Sequence, residues 1–154
     1  MMDRQERVIA SNKRAEHDFF IVQSYEAGIA LTGTEVKSLR QGKVSIQDAY
    51  AGFPSAQSKE LFLYNLHISV YKQGNIHNHE PKRVRKLLLN SHELSKIKTA
   101  TAERGMTLIP LAVYFSGRFV KIQLGLCKAK RKYDKRETTK KRETDREIRR
   151  KYRV

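Results

Sequence analysis

Alternating apolar and polar positions are clearest in the later part of the chain, where they predict two neighbouring strands. Over residues 119–127 every second side chain from Val120 to Leu126 is apolar, the pattern of a strand with one buried face. Residues 106–115 form a second apolar run, separated from the first by a short Ser-Gly-Arg turn. Pro110 lies in this second run and has no backbone N–H to donate, so we expect an edge or a bulge there.

Shorter runs of aromatic and β-branched residues predict the remaining strands. They lie at residues 17–23, 28–31, 45–53 and 60–69, and a turn is expected over residues 24–27, between the first two. With the two longer strands, these runs give about six strands in a single small body.

Two helices are predicted from signals at their first residues. Thr32 and Glu35 match a capping box, which predicts a short helix ending near Gly42. Asn90 precedes apolar residues spaced three apart, which predicts a second helix ending by Gly105. About six strands with two to three short helices indicate a mainly β protein. We expect a small, closed, OB-like barrel, with a β-sandwich as the alternative.

The charge balance indicates a polyanionic partner. The chain has 32 Lys and Arg against 16 Asp and Glu, a formal net charge of +16. Such an excess favours binding to nucleic acid, an acidic membrane surface or an acidic protein. Basic clusters precede the first predicted strand, lie on the first predicted helix and at its exit, and occupy residues 82–86. Several clusters together with the basic last part of the chain favour a polyanionic partner.

The last part of the chain has the composition of a basic tail. Residues 128–154 contain 14 basic and 5 acidic residues and few apolar ones, so this segment is expected to be disordered when free. Acid-before-base pairs four residues apart nevertheless favour a helix once a partner offsets the cost of nucleation. A merely solubilising tail is the alternative. The predicted organisation is a flexible N-terminus over residues 1–10, the barrel over residues 11–127, and this tail.

No pattern in the sequence predicts an enzyme. Cys127 is a lone cysteine in an apolar strand, so it predicts a core residue and excludes an internal disulfide. His77 and His79 form the only close histidine pair, and without further ligands they indicate a polar loop rather than a metal site. We therefore expect no cofactor and no metal. The charged N-terminus and the lack of a long apolar segment favour a cytoplasmic protein without membrane attachment.

Six motifs in fixed order resemble the SmpB family, the bacterial partners of transfer-messenger RNA (tmRNA). They read NKRAEHDFFI from residue 12, YEAGI from residue 25, GTEVKSLR from residue 33, NHEP from residue 78, RKLLL from residue 85 and YDKRE from residue 133. The resemblance implies an OB-like barrel that binds the tRNA-like domain of tmRNA and enters stalled ribosomes. It also implies a tail that probes the empty decoding centre and the mRNA channel, becoming helical there. We expect a monomer.

The resemblance also assigns candidate RNA-binding residues. Asn12, Glu26 and Leu88 match family positions tied to RNA binding, although Leu88 could equally be a core residue. Glu26 is expected to accept hydrogen bonds from ribose or base donors, or to orient a neighbouring cation. The additional expected contacts to the RNA backbone are Lys13, Arg14, His17, Arg85 and Lys86.

In the tail, the matching positions are those expected to act on the ribosome. They are Lys128, Lys130, Arg131, Lys132, Tyr133, Asp134, Lys135 and Arg136. Ala129 stands where family members often have Gly, so a hinge there would be stiffer in this chain.

Two rival functions fit the same composition. A ribosomal protein would share the basicity and the barrel but would remain bound to all ribosomes. An architectural nucleic-acid binder would show no preferred RNA and the same steep salt dependence.

Overall fold

The computed structural model of the chain describes residues 6–103 and 105–130, with the side chains of residues 75–77 excepted. The strands are β1 (Glu6–Ser11), β2 (Phe19–Ile29), β3 (Val44–Ser45), β4 (Tyr50–Gly52), β5 (Leu61–Tyr64), β6 (His67–Ile68), β7 (Arg85–Leu88), β8 (Met106–Ser116) and β9 (Phe119–Ala129). The helices are α1 (Ala15–Asp18), α2 (Gly33–Arg40) and α3 (Ser91–Thr101), and a 3-10 helix spans Lys72–His77.

Six strands close into a hydrogen-bonded ring. Their order is β8-β4-β5-β7-β2-β9, and β9 pairs back onto β8. β1 adds to β8 outside the ring, and β3 and β6 form a separate pair. The described residues confirm the predicted mainly β class, with about six strands in the closed arrangement and short helices outside it.

The two long strands β8 and β9 form as the alternation predicts. They pair antiparallel from Met106 opposite Lys128 to Ser116 opposite Phe119. The register shifts between Pro110 and Ala112, so the bulge expected at the proline is confirmed. A bulge bends its strand, which helps β8 to reach β1, β4 and β9 along its length.

The ring is filled by the apolar side chains that point inward. Leu63, Leu87, Ile122 and Leu124 are at most 1% exposed. Leu39 of α2 and Ile97 of α3 belong to the same buried cluster, so the helices extend this core. Asn90 caps α3 as predicted, its Oδ1 accepting a hydrogen bond from the Glu93 N–H at 2.8 Å.

The turn predicted over residues 24–27 is wrong. β2 runs unbroken from Phe19 to Ile29, with a register shift between Ile21 and Gln23, and it pairs with β9 along most of its length. The polar and small residues in this segment suggested a turn, but a full-length partner strand supplies their backbone hydrogen bonds. Tertiary pairing therefore overrides the local preference.

The flexible N-terminus predicted through residue 10 is also wrong for residues 6–10. This segment belongs to β1 and pairs with β8, from Glu6 opposite Ser116 to Ser11 opposite Ala112. Ile9 and Ala10 pack against the core, which stabilises a segment whose charged residues suggested mobility. At the other end, β9 continues to Ala129, two residues past the predicted end of the barrel.

Two long predicted strands are each divided into short ones. Residues 60–69 break at Asn65, whose φ of 60° interrupts the extended backbone between β5 and β6. Residues 45–53 break at a turn in which the Ala49 N–H donates to the Ile46 carbonyl at 3.1 Å. Ile46 and Ala49 are both buried in this turn, so apolar character alone suggested a continuous strand.

Candidate nucleic-acid interface

The antiparallel register brings residues from four strands together on the outer surface of the ring. One row of directly opposed residues consists of Ser11, Ala112, Gln123 and Glu26. The next row consists of Val8, Tyr114, Lys121, Gly28 and Leu88. Because the residues between these rows are buried in the core, both rows point away from the ring. We call this surface the outer face.

A groove of about 540 Å³ runs beside the first row, between β2 and the end of β1. Its lining includes Asn12, Lys13, Ser24, Ala112 and Gln123. Ala112 and Ser24 are small, so they allow a ligand to approach the backbone of the sheet closely. The groove offers polar groups and a lysine. Glu26 lies directly opposite Gln123, one of the residues that line the groove.

The backbone of Asn12 is hydrogen-bonded at the groove, but one atom of its side chain lacks a hydrogen-bond partner among the described residues. Its N–H donates to the Leu111 carbonyl at 2.8 Å, and Nδ2 lies 3.4 Å from the Pro110 carbonyl oxygen. Its Oδ1 is buried and accepts no hydrogen bond from the described residues. An acceptor left in that state costs about 1–3 kcal/mol, and because the atom is buried a ligand donor reaches it only after the side chain turns.

Glu26 is exposed and is fixed by one neighbour on the outer face. Tyr114 Oη donates to Glu26 Oε2 at 2.5 Å. Burial, and then the Glu26 carboxylate, raise the pKa of Tyr114 far above its ordinary value, so the phenol stays protonated and donates. The remaining lone pairs of the carboxylate can accept from ribose hydroxyls or base amino groups.

Leu88 lies on the outer face rather than in the core. Its neighbour Leu87 is 1% exposed, whereas Leu88 is 50% exposed. Leu88 sits directly opposite Gly28, and a Cβ at Gly28 would lie 3.3 Å from the Leu88 Cβ. The glycine therefore leaves the leucine uncovered and available to pack against a ribose or a base.

Comparison with known proteins decides the family. The family model described as SmpB protein matches residues 9–154. The chain belongs to the SmpB family. The SsrA-binding protein of Geobacillus kaustophilus is 51% identical over 96% of this chain and 93% of its own length. The SsrA-binding protein of Carboxydothermus hydrogenoformans is 53% identical over 93% of this chain and 94% of its own.

A solved structure agrees with this assignment. It is described as "tmRNA-SmpB: a journey to the center of the bacterial ribosome". It is 46% identical in sequence, covers 84% of this chain and 93% of its own, and superposes with a TM-score of 0.67.

Arg85, expected as an additional contact to the RNA backbone, is instead fully buried. Its Nε donates to Glu35 Oε2, and its Nη1 donates to the Leu66 carbonyl at 2.6 Å. A guanidinium enclosed in this way cannot reach a phosphate, so the expectation is wrong for its side chain. Strand alternation contained the signal, because Arg85 falls on the same face as Leu87.

Glu35 is the centre of this buried network. Burial alone would raise its pKa, but hydrogen bonds from Arg83, the Thr32 N–H and Arg85 outweigh it and hold the pKa below its ordinary value. The Thr32 N–H donates to Glu35 Oε1 at 2.9 Å, as the predicted capping box requires. The same carboxylate therefore caps α2 and joins it to β7.

The other expected backbone contacts lie on the surface. Lys13 and Arg14 are exposed, and Lys86 is exposed with its Nζ 3.2 Å from Glu60 Oε1. Such an exposed ion pair is worth about 0–1 kcal/mol, so Lys86 can readily exchange it for a phosphate. His17 is partly exposed and its Nδ1 lies 2.9 Å from Asp18 Oδ1.

The start of the tail is hydrogen-bonded to α1. The Lys130 N–H donates to the Asp18 carbonyl at 3.0 Å, and its Nζ donates to the Glu16 carbonyl at 2.6 Å. The same Nζ lies 5.0 Å from the centre of the Phe20 ring. Lys128 is exposed at the end of β9. The other tail candidates, Arg131, Lys132, Tyr133, Asp134, Lys135 and Arg136, lie outside the described residues.

Three residues of the outer face were missed from the sequence: Tyr114, Lys121 and Gln123. The alternation over residues 119–127 does place Lys121 and Gln123 opposite the core. Tyr114 had no such signal, because its contact with Glu26 joins residues 88 positions apart.

His79 and Cys127 lie in the interior of the protein. His79 is buried, with Nδ1 2.9 Å from Thr34 Oγ1 and Nε2 2.8 Å from the Ile68 carbonyl oxygen. Cys127 is in the core, and burial raises the pKa of its thiol to about 11. In the part of the chain that the structure describes, no group of three His, Cys, Asp or Glu could hold a metal ion. No helix there is long and apolar enough to cross a membrane.

Proposed function

We propose that this chain binds SsrA RNA, which is tmRNA, and holds its tRNA-like domain against the outer face. The observation that carries the proposal is that Asn12 lines the groove and that Glu26 and Leu88 lie on the outer face beyond it, in a chain 51% and 53% identical to two SsrA-binding proteins. These residues come from three separate segments of the sequence, and each offers a different kind of contact.

The chemistry of the outer face suits RNA rather than a uniform polyanion. Lys13 and Lys86 supply charge for phosphates, which position the RNA without reading it. Glu26 supplies an exposed carboxylate acceptor, and acceptors favour ribose 2′-hydroxyls and exposed base N–H groups over phosphates. Leu88 supplies an apolar contact. DNA lacks the 2′-hydroxyl, so an acceptor on the outer face would help to distinguish RNA from DNA.

The proposal extends to ribosome rescue. The chain, with its tmRNA, enters ribosomes stalled without a usable codon, and the body over residues 11–127 takes the place of the missing anticodon half of a tRNA. The basic tail over residues 128–154 probes the decoding centre and the mRNA channel and becomes helical there. The contacts of Lys130 with α1 support this division between body and tail, because they attach the start of the tail to the body by hydrogen bonds.

The test is sequencing of the RNA that co-purifies with the tagged full-length chain after a high-salt wash. We expect tmRNA to dominate, because hydrogen bonds and packing on the outer face survive salt better than phosphate contacts do. Ribosomal RNA recovered with all ribosomes would favour a permanent ribosomal protein. An unselective RNA mixture would favour an architectural binder, and either result would overturn the proposal.

A further inference from the structure

A second, smaller groove shares Asn12 and Ala15 with the groove beside the outer face. It has a volume of about 270 Å³ and lies between α1, the turn that joins β3 to β4, and β8. Ala15, Ala49 and Ile109 line it and are at most 7% exposed, so its floor is apolar. A floor of this kind favours a ligand that carries an apolar or aromatic group.

The charges of this groove differ in sign from those of the whole chain, whose formal net charge is +16. Among the described residues that line it, Asp18 and Asp48 are acidic and Arg14 is basic. Asp48 is exposed and forms no ion pair with any described residue. In the groove beside the outer face, by contrast, the charges of Lys13 and Glu16 cancel. The smaller groove, which we call the carboxylate groove, therefore attracts a cationic ligand.

The tail begins at the edge of the carboxylate groove. The Lys130 N–H donates to the carbonyl of Asp18, a residue that lines the groove, at 3.0 Å. The Lys130 Nζ donates to the Glu16 carbonyl at 2.6 Å, so the chain is held there by two hydrogen bonds. Residues 131–133 follow with the sequence Arg-Lys-Tyr. Three residues span at most about 11 Å, so two cations and an aromatic ring lie within that distance of the edge of the groove.

We propose that residues 131–133 dock in the carboxylate groove of the same chain while the protein is free of RNA. The two cations of this segment complement the carboxylates of Asp18 and Asp48. Tyr50 lines the groove, is 46% exposed and is held by stacking on Tyr64, with 5.2 Å between the ring centres. Its ring offers a face to the arginine or the tyrosine of the segment. Attachment at the edge raises the effective concentration of the segment, so weak contacts suffice.

Docking holds back the first cations of the tail until the protein reaches a ribosome. This consequence rests on the proposed function, in which the tail acts at the decoding centre, whereas the docking itself does not. Ribosomal RNA carries a much denser negative charge than two carboxylates, so it competes successfully for Arg131 and Lys132. Before that point, the docked segment contributes fewer accessible cations to non-specific binding of other RNAs.

The experiment is limited trypsin digestion of the full chain, freed of nucleic acid and followed by mass spectrometry. Trypsin cleaves after Lys and Arg, and a docked segment cannot enter the protease, so the rate of cleavage after Lys132 reports docking. Cleavage after Lys140 in the same molecules is the internal reference. Asp48→Lys reverses one charge of the groove. Glu60→Lys is the matched control, since it changes the net charge equally at an exposed residue that does not line the groove.

Relative to the reference site, Asp48→Lys should accelerate cleavage after Lys132 about fivefold, because exposed ion pairs and a ring contact together provide a factor of that order. Glu60→Lys should leave the rate at its wild-type value. Asp48→Asn should accelerate cleavage by about twofold, and it keeps the test valid if lysine at position 48 disturbs the turn. Equal melting temperatures are the check on folding. Salt at about 1 M should remove the protection, since the Debye length is then about 3 Å.

Two results would overturn the proposal. One is a rate of cleavage after Lys132 that Asp48→Lys leaves unchanged, or that Glu60→Lys raises equally. The other is protection that increases with protein concentration, because it would place the tail of a second copy in the groove. The assay contains no RNA, so its outcome does not depend on which RNA the chain binds. Failure of the proposed function would appear instead in the RNA that co-purifies with the chain.

Discussion

Tyr114 donates a hydrogen bond through its phenol oxygen to Glu26, with 2.5 Å between Oη and Oε2. Tyr114 is 8% exposed, whereas Glu26 is exposed, so a buried donor fixes a carboxylate that faces solvent. A side chain held in one orientation loses less conformational entropy on binding than a free one. Tyr114 is therefore a positioning residue, and Glu26 is the group that meets the ligand.

Replacing Tyr114 by Phe should weaken binding to the tRNA-like domain by roughly three- to tenfold, because the carboxylate loses its fixed orientation. Stability should fall by about 1.5–3 kcal/mol, the range for a hydrogen bond to a charged group. The decisive measurement is a double-mutant cycle of affinities with Glu26→Gln. Tyr114→Phe should have little further effect once Glu26 is changed. Additive effects would show that Tyr114 does not act through Glu26. Tyr64→Phe, in the stacked pair of Tyr50 and Tyr64, is the matched control.

Leu87 and Leu88 are neighbours with opposite expected roles. Leu87→Ala should cost about 2–5 kcal/mol of unfolding free energy, because it creates a cavity in the core. Leu88→Ala should cost well under 1 kcal/mol and should instead weaken binding to the tRNA-like domain. Denaturant unfolding and RNA titration of the two variants separate these effects. A Leu88→Ala chain that is as destabilised as Leu87→Ala would place Leu88 in the core.

The buried carboxylate of Glu35 should make the fold sensitive to acid. Its pKa is below the ordinary value in the folded state, so its stabilisation is present above the unfolded value, about 4.3, and is lost as the pH falls through the lower folded value. Glu35→Gln should lower stability at neutral pH by about 3 kcal/mol, because it leaves Arg85 buried without its anionic partner.

Unfolding free energies measured from pH 7 to pH 3 provide the check on this account. The difference between wild type and Glu35→Gln should shrink at the acid end. Glu60→Gln changes an exposed ion pair and should give nearly the wild-type profile. A difference for Glu35→Gln that stays constant with pH would contradict the assigned role of its charge.

Removing residues 131–154 should separate the two activities in the proposal. The shortened chain keeps Lys130 and its contacts with α1, so its affinity for the tRNA-like domain should stay within about threefold of wild type. The reduction in net charge accounts for a loss of that size at low salt. Rescue of stalled ribosomes in a reconstituted translation assay should be abolished. A large loss of affinity for the tRNA-like domain, or retained rescue, would contradict the division between body and tail.

The elements that were predicted correctly are those whose signals are local. β8 and β9 follow from alternation within each strand and from the bulge at Pro110, and the cap of α3 follows from Asn90. β1 and the middle of β2 were missed because their stability comes from partner strands about 90 to 110 residues away along the chain. A strand of that kind carries little information in its own sequence.

The candidate site shows the same limit. The family resemblance supplied Asn12, Glu26 and Leu88, and the register explains why they share one surface. Arg85 was wrongly expected to contact RNA because it lies in a run of basic residues. Only the alternation along the strand indicates that one of these residues is buried. The contact between Tyr114 and Glu26 depends on the register of β8, β9 and β2, which no local pattern specifies.

The most direct test of the central claim is the affinity of Glu26→Gln for the tRNA-like domain of tmRNA, compared with Glu60→Gln. Both variants remove one negative charge from an exposed position. If electrostatics alone governed binding, both should bind RNA as tightly as wild type or more tightly. If Glu26 accepts hydrogen bonds from the RNA, Glu26→Gln should bind about tenfold more weakly while Glu60→Gln does not. That outcome would establish the outer face as the RNA-binding surface, and a Glu26→Gln chain that binds at least as tightly as wild type would contradict it.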